Sequence, residues 1–235
     1  MSNILAAAIE MEVAEEAKAK AISIESILKQ IASHTFGCMV AGGYCRDKFY
    51  GVEHKDIDII IYNFYKGDYA ENRLMEMLLS WLRSNVAARD ITQHGDSQYE
   101  QEDRIEFVLH LPHHNVDIIC WNAKTHTEVL SRFDCNLNQF YLPSTVPKFD
   151  GELPYTPDMN EQPVHLLGSA TSLHVLEFLK ELHPDRELKM MEKHKVFYPE
   201  EWSKLSSNKP VIHYMKQELP FQGDDGDCKI DDTYC

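Results

Sequence analysis

The stretch CMVAGGYCRDKFYGVEHKDIDIIIY, residues 38–62, decides the fold of this chain. It opens with a short apolar run that predicts a strand, breaks at two consecutive glycines, and continues through a segment predicted to be helical. A second apolar run at residues 56–62 predicts another strand, and that run begins with two aspartates, Asp56 and Asp58. Because side chains alternate across a strand, we expect Asp56 and Asp58 to leave the same face.

A third carboxylate lies in another apolar run, NVDIICW, at residues 115–121. The neighbours of Asp117 in that run, Val116 and Ile118, indicate a buried strand, where an unpaired carboxylate is costly. Clustered carboxylates also raise one another's pKa unless a cation lies between them. If the two strands are adjacent, three oxygen ligands converge, which suits Mg²⁺ together with substrate phosphate oxygens. The sequence therefore predicts a divalent-metal site beside a glycine turn whose backbone can approach phosphate.

The spacing of apolar residues predicts the remaining elements of the chain. Helices are expected at residues 3–20, at 23–33, through 74–82, in a short segment capped by Thr125 or Thr127, at 172–182, at 185–194 and from Pro199 onward. Strands are expected at residues 38–41, 56–62, 104–111, 115–121 and 138–142, while 92–103 and 143–163 are predicted to be loops. This mixture predicts an α+β (α/β) fold with a mixed sheet flanked by helices.

The formal charge of −15 constrains the function. Proteins that grip long RNA or DNA carry a basic surface, so extensive nucleic-acid contact is not expected. The acidic N-terminal segment does not have the pattern of a signal peptide, and no apolar run is long enough to span a membrane. We therefore expect a cytoplasmic protein. Its six cysteines, none of them in a CxxC pair, are expected to be reduced.

The chain contains three motifs whose sequence and order resemble those of the nucleotidyltransferase superfamily that includes DNA polymerase beta. The chain is more closely similar to the head domain of CCA-adding enzymes and bacterial poly(A) polymerases, which carries Gly-Gly-x-x-Arg-Asp, then Asp-x-Asp, then Arg-Arg-Asp-Phe-Thr-Ile-Asn. The matching stretches here are Gly42-Gly43-Tyr44-Cys45-Arg46-Asp47, Asp56-Ile57-Asp58 and Arg132-Phe133-Asp134-Cys135-Asn136-Leu137-Asn138. Phe133 replaces the second arginine of the last motif, and the resemblance spans roughly residues 36–142.

The resemblance implies an enzyme that moves a nucleoside monophosphate from an NTP to an acceptor hydroxyl and releases pyrophosphate. Two Mg²⁺ ions, replaceable by Mn²⁺, would be held by Asp56, Asp58 and Asp117. The residues implied to contact the nucleotide come from the motifs and from the loop before them: Gly42, Gly43, Arg46, Lys55, Arg132, Asp134 and Asn138. Arg46 or Lys55 would neutralise charge as pyrophosphate leaves, and the last three would line the sugar and base side.

The resemblance also predicts a domain organisation. Residues 1–35 would be N-terminal bracing helices, and 36–145 the nucleotidyltransferase catalytic core. Residues 146–220 would form a loop with a small helical C-terminal extension, and 221–235 an acidic flexible tail. The catalytic core is therefore expected to hold every site residue named above.

The rest of the chain departs from the CCA-adding enzymes. Their neck helix carries a Glu-Asp-x-x-Arg signature that templates C and A selection. The stretch Pro184-Asp185-Arg186 is only weakly similar to that signature. Only about ninety residues follow the head, so their large helical tRNA-gripping body has no counterpart. The compact build looks more like the stand-alone nucleotidyltransferases of phages and toxin–antitoxin systems, which implies a bacterial or phage-infected cytoplasm.

Several alternatives stay open at the level of sequence. The acceptor is an RNA 3′ end, a protein or a small molecule. The chain could instead be a nucleotidyltransferase-like binding module that engages a host protein or a nucleotide without turnover. Among the site residues, Arg46 and Asp47 could simply pair on a helix face, and Arg132 and Asp134 could form a structural bridge.

Overall fold

The computed structural model describes residues 22–34, 36–62, 70–86, 91–94, 105–148, 154–168, 173–204 and 213–214. The helix predicted at residues 3–20 and the tail predicted at 221–235 lie outside these ranges. None of the helices in the described ranges has the length and the apolar character that a membrane crossing requires. Four of the cysteines lie in these ranges, and all four are buried free thiols: Cys38, Cys45, Cys120 and Cys135.

Helices and strands alternate through the first half of the described chain. The helices are α1 (Ile24–Ser33), α2 (Gly43–Phe49), α3 (Ala70–Asn85), α4 (His126–Leu130), α5 (Pro184–Phe197) and α6 (Pro199–Lys204). The strands are β1 (Gly37–Ala41), β2 (Ile57–Tyr62), β3 (Thr92–His94), β4 (Ile105–Leu111), β5 (Val116–Trp121), β6 (Phe140–Tyr141), β7 (Val164–His165), β8 (Glu177–Phe178) and β9 (His213–Tyr214). The side chains of Ser23 and Thr125 cap α1 and α4, because each accepts a backbone hydrogen bond from the first turn.

The main sheet is mixed and has the strand order β3-β4-β5-β2-β1-β6-β7 within the described residues. Strands β2 and β5 pair in parallel, whereas the other neighbours pair antiparallel. Strands β8 and β9 form a separate two-stranded parallel sheet. The predicted α+β class and the mixed sheet flanked by helices are confirmed.

The two faces of the sheet are packed by different helices, and the alternation of side chains separates them. On one face Val40, Ile59 and Ile118 belong to the larger core, which includes buried residues of α1 and α3. On the other face Met39 and Ile60 pack in a cluster with the buried residues of α4. The apolar runs therefore build both faces of the central strands, as is typical of strands covered on both sides.

The pairing of β1, β2 and β5 fixes where the motif residues meet. In the parallel pair, Asp58 lies opposite Asp117. In the antiparallel pair, Asp58 lies opposite Ala41, the last residue of β1, so the glycine turn begins beside it. The register therefore brings two of the predicted carboxylates and the glycine turn to one end of three adjacent strands.

The helix predicted at residues 172–182 is wrong in its described part, which contains turns and β8. Leu176 and Phe178 are buried against Cys135, Leu137 and Met190. Their spacing is that of an extended segment, and Phe178 forms an isolated antiparallel bridge with Cys135. Long-range pairing therefore overrides the helical periodicity that three leucines produced in the sequence.

Three further boundaries differ from the sequence-based prediction. The strand predicted at residues 138–142 is shorter, because Asn138 ends a 3₁₀ turn, Asn136–Asn138, and only Phe140–Tyr141 pair. The loop predicted at 92–103 begins with β3, a polar edge strand that pairs with β4. The helix predicted at 185–194 runs instead over Pro184–Phe197. Pro184 stands at its first position, where a missing N–H costs nothing.

The packing of Gly37 against Tyr62 gives a test of the β1–β2 register. A Cβ added at Gly37 would lie 2.2 Å from Cε2 of Tyr62, its partner across the strands. We expect Gly37→Ala to lower the free energy of unfolding by ~1–3 kcal/mol in urea denaturation. In a Tyr62→Ala background the same substitution should cost much less, and an equal cost in both backgrounds would contradict the register.

Candidate functional site

The motif residues line a cleft with two lobes that meet at Asp58. The first, which we call the apolar lobe, has a volume of about 380 Å³ and a wall formed by Ile60, Ile119, Trp121 and Phe133. The second, which we call the basic lobe, has a volume of about 430 Å³ and five cationic side chains in its lining: Arg46, Lys55, Arg186, Lys189 and Lys193. Gly43, Asp58, Asn138 and Arg186 line both lobes.

All three predicted carboxylates line the basic lobe, but they are not equivalent. The prediction placed Asp56 in the strand, whereas β2 begins at Ile57 and Asp56 is exposed just before it. Burial, followed by the charges of Asp117 and Asp56, raises the pKa of Asp58 from its ordinary value of 3.8 to about 7. The ionised form of Asp58 is therefore disfavoured as the protein stands, and a bound cation would favour it.

His110 holds the third carboxylate in place. It lies opposite Asp117 on the neighbouring strand β4, and its Nδ1 is in hydrogen-bond contact with Oδ1 of Asp117. Because an ionised carboxylate can only accept, Nδ1–H is the donor, and Oδ2 of Asp117 stays available for another ligand. The sequence analysis missed His110, although counting outward from the turn at residues 112–115 pairs it with Asp117.

The carboxylates do not form a finished metal cage. Across the described ranges, no group of three or more His, Cys, Asp or Glu side chains is arranged to hold a metal ion. The side chains that could hold one are Asp58 and Asp117, with Asp56 at the rim. Mg²⁺ is typically bound by one or two carboxylates plus substrate phosphates, so this donor set fits it without a complete protein cage.

Gly42 occupies a backbone conformation that requires glycine. Its φ of 84° and ψ of −138° lie in a region that other residues rarely adopt. A Cβ at Gly42 would lie 3.2 Å from Oδ2 of Asp58 and 3.8 Å from Phe133. Its N–H donates to the carbonyl of Phe140 at 2.8 Å, which fixes the turn against β6. The glycine therefore leaves the Asp58 carboxylate accessible from the turn.

Arg46, a predicted nucleotide ligand, lines the basic lobe but is buried and only 1% exposed. Its Nε donates to Oδ1 of Asp47 at 2.7 Å, and its Nη1 donates to Oδ1 of Asn138. Nη2 lies 2.6 Å from the same Asp47 oxygen but makes no aligned hydrogen bond. The interpretation of Arg46 and Asp47 as a pair thus agrees with the geometry, and Asn138 extends it.

A chain of polar contacts continues from Asn138 to helix α5. Nδ2 of Asn138 donates to Oδ1 of Asp134 at 2.6 Å. Oδ2 of Asp134 accepts from Nε of Arg186 at 2.7 Å and lies 2.5 Å from its Nη2. At the other end of the chain, Nζ of Lys193 lies 3.4 Å from Oδ2 of Asp47. Both ends of this polar chain therefore rest on α5, and we call it the Arg46 network.

The remaining predicted site residues lie at the edges of the cleft. Arg132 lines the apolar lobe and pairs with Glu128 at 2.9 Å rather than with Asp134. Phe133, which replaces an arginine of the family motif, lies with its ring centroid 6.3 Å from that of Trp121. Lys55 is exposed and lines the basic lobe. The lining of the cleft thus includes every predicted site residue.

Three basic residues of α5 also line the basic lobe and were missed from the sequence. Arg186, Lys189 and Lys193 are separated by three and four residues, which places them on one face of the helix. Their spacing on the predicted helix was a usable signal. What the sequence lacked was any indication that this helix lies against the carboxylates.

The chain was compared with known proteins. It matches no protein-family model and no curated protein sequence. Its structure is similar to a CCA-adding enzyme in apo form I (14% identity, 78% of this chain, 46% of that chain, TM-score 0.40). It is also similar to a Thermotoga maritima CCA-adding enzyme complexed with tRNA_CCA (17% identity, 54% of this chain, 28% of that chain, TM-score 0.35). A third similar structure is a tRNA nucleotidyltransferase complexed with a primer tRNA and an incoming ATP analog (15% identity, 57% of this chain, 34% of that chain, TM-score 0.33).

These likenesses are limited in extent. The chain spans less than half of the length of each of these three proteins. The mixed sheet is consistent with the nucleotidyltransferase fold that the motifs predicted. Likenesses at 14–17% identity and TM-scores of 0.33–0.40 carry no argument about activity, so the function is argued from the cleft itself.

The raised pKa of Asp58 predicts a pH-dependent cost to stability. Below the ordinary value of 3.8 the carboxyl is protonated in the folded and the unfolded chain, and above about pH 7 it is ionised in both. The folded state therefore bears the full cost of the ionised group above about pH 7. Without divalent ions, we expect Asp58→Asn to raise the melting temperature by a few degrees at pH 8 and by less at pH 5.

Thermal unfolding followed by circular dichroism measures this difference. Glu76→Gln removes an exposed carboxylate of α3 and controls for the change in net charge. An equal gain for Asp58→Asn at both pH values would show that the carboxyl does not carry this cost.

Proposed function

We propose that this chain is a nucleotidyltransferase that moves a nucleoside monophosphate from an NTP to an acceptor hydroxyl. The observation that carries the proposal is the register of β2 and β5, which sets Asp58 beside Asp117 next to the Gly42 turn. Two carboxylates at a glycine turn are the arrangement that brings a metal and a phosphate together. The raised pKa of Asp58 supports the proposal, because this cluster is incompletely neutralised by the chain's own groups.

The proposed cofactor is Mg²⁺, with Mn²⁺ as a substitute. Asp58 and Asp117 would hold it with Asp56, and two ions are proposed once the triphosphate adds its oxygens. The bound ion would neutralise charge on the phosphates and orient the α-phosphate. The donor set consists of carboxylate oxygens, which suits these hard cations and not the softer metals that prefer thiolates.

The apolar lobe is proposed to hold the nucleoside. Its volume of about 380 Å³ lies in the range of small-molecule sites. Trp121 and Phe133 offer aromatic surface to a base, while Asp134 and Asn138 add polar groups to the lining. Asp134 and Asn138 are held by the Arg46 network, so they are oriented before the ligand arrives.

The proposed step is an in-line displacement at the α-phosphorus. The acceptor oxygen forms a bond to the α-phosphorus, and the bond from that phosphorus to the bridging oxygen breaks. The electron pair of that bond leaves with pyrophosphate, and the proton of the acceptor hydroxyl passes to solvent. His110 donates to Oδ1 of Asp117, which would leave Oδ2 to hold a metal ion.

The acceptor is proposed to be small or locally recognised. The five cations of the basic lobe lie inside the cleft, in a chain whose net charge is −15. The net negative charge of the chain would repel an acceptor bound along a long anionic backbone. An RNA 3′ end, a protein side chain or a small alcohol all satisfy this condition.

The test combines binding and transfer. Calorimetry with ATP, CTP, GTP and UTP should show Mg²⁺-dependent binding of at least one NTP, and Asp58→Asn with Asp117→Asn should abolish it. Glu76→Gln serves as the matched control, because it removes an exposed carboxylate far from the cleft motifs. Incubation of the protein with α-³²P-labelled NTP in cell extract should label RNA, protein or a small molecule.

The outcomes separate the two hypotheses left open by the sequence. Binding that survives loss of both carboxylates unchanged would contradict the metal site. Carboxylate-dependent binding without label on any acceptor would favour a module that binds nucleotide without turnover.

The glycine turn provides an independent prediction. Gly42→Ala should lower Mg²⁺–NTP affinity sharply, because its Cβ would crowd Asp58 at 3.2 Å and the backbone would have to change. Gly51→Ala is the matched control, since Gly51 also has a positive φ (67°) but has nothing within 4 Å of an added Cβ. We expect Gly51→Ala to cost ~1–2 kcal/mol of stability and to leave NTP affinity unchanged. Equal affinity losses in both variants would contradict the role of Gly42.

A further inference from the structure

The face of helix α5 that closes the basic lobe is a concentration of positive charge. Arg186, Lys189 and Lys193 all line this lobe together with Asp58 and Asp117. Arg186 lies close enough for its charge to lower the pKa of Asp58. In a chain of net charge −15, these cations are placed where the proposed reaction handles phosphate.

The cations of the basic lobe differ in how far they are committed to protein partners. Arg46 is buried with Asp47 and Asn138, and Arg186 forms a close ion pair with Asp134. Both guanidinium groups are therefore already paired with a carboxylate of the protein, although Nη2 of Arg46 has no aligned acceptor. The lysines of the lobe are the further cations that an incoming anion can contact.

Lys189 and Lys193 are the two lysines of α5 in this lobe. Lys189 is exposed, and Lys193 is half-buried with its Nζ 3.4 Å from Asp47, whose carboxylate is already paired with Arg46. Burial lowers the pKa of Lys193, and so do the positive charges of Arg46 and Lys189. An anion bound between the two lysines would relieve this repulsion, because it would favour both charged forms.

The ligand that fits this position is an oligophosphate. Lysine binds phosphate as a point charge and needs no planar, bidentate geometry. Asp58 and Asp117 line this lobe, and Asp58 also lines the apolar lobe, so the two lobes adjoin at that carboxylate. A nucleotide with its base in the apolar lobe and its α-phosphate at the carboxylates would extend its remaining phosphates into the basic lobe.

We propose that Lys189 and Lys193 bind the β- and γ-phosphates of the NTP and hold them as the pyrophosphate leaving group. This inference rests on the proposed nucleotidyl transfer and adds the helix that follows the predicted catalytic core to its active site. It gives the leaving-group charge, which grows as the bond to the α-phosphorus breaks, two fixed cations. It also gives Lys189 and Lys193 the charge-neutralising role that the resemblance assigned to Arg46 or Lys55.

The test compares ligands that differ only in their phosphates. For the NTP that binds the wild-type protein best, calorimetry with Mg²⁺ measures the affinities of that NTP, the matching NMP and inorganic pyrophosphate. In Lys189→Gln/Lys193→Gln we expect NTP and pyrophosphate affinity to fall about tenfold or more, with NMP affinity unchanged. Lys195→Gln, an exposed position of the same helix outside the lobe, should change none of them.

Further variants keep the test decisive if the double variant loses structure. Lys189→Gln alone removes an exposed side chain and should still lower NTP affinity more than NMP affinity. Lys189→Arg/Lys193→Arg keeps both charges and should retain most of the NTP affinity. Circular dichroism confirms that each variant is folded.

The possible results distinguish this inference from the function on which it rests. Equal changes in NTP and NMP affinity in the glutamine variants would overturn the role of the two lysines while leaving nucleotide binding intact. A wild-type protein that binds no NTP would overturn the proposed function, and the role of the lysines with it.

Discussion

The buried guanidinium of Arg46 is the interaction on which the cleft depends. A charge with 1% exposure costs several kcal/mol unless it is paired and hydrogen-bonded, so its partners are fixed by the same requirement. Asp47, which lies beside Arg46 in α2, balances the charge of the guanidinium and accepts from its Nε. Asn138, in the 3₁₀ turn before β6, accepts from its Nη1. The first and last sequence motifs therefore meet at this side chain, although more than eighty residues separate them.

The consequences of that pairing reach helix α5. Asn138 contacts Asp134, Asp134 binds Arg186, and Lys193 returns to Asp47, so α5 is held at both ends by the groups that Arg46 organises. These contacts cross the boundary predicted near residue 145, because α5 belongs to the segment predicted as an extension. Both lobes use α5 in their lining, and the cleft is therefore closed by a helix that the motifs alone did not include.

The sequence patterns predicted those elements whose structure depends mainly on residues close together in the chain. Strand β1, the glycine turn, α2 and β2 follow from short apolar runs and two glycines, and the position of Asp117 follows from its buried strand. The pairing of Arg46 with Asp47 was among the alternatives, but its burial and its bond to Asn138 could not be predicted, because chain segments distant in sequence produce both. The helix predicted at residues 172–182 failed for the same reason, since Phe178 pairs with Cys135. His110 required the β4–β5 register, which counting across the turn would have supplied.

The basic lobe of the cleft contains both carboxylates and cationic side chains, in a chain whose net charge is negative. Its Asp58 carboxylate is costly to ionise, as the raised pKa of that group shows, while the charges of Arg46 and Lys189 repel that of Lys193. A ligand that carries both a divalent cation and several phosphates relieves the two strains together, because it presents positive charge to Asp58 and negative charge to Lys189 and Lys193. Free phosphate brings no positive charge to Asp58, and a free metal ion brings no negative charge to the two lysines. The arrangement of charge therefore favours a metal–nucleotide complex over either component, and the net charge of −15 disfavours longer polyanions.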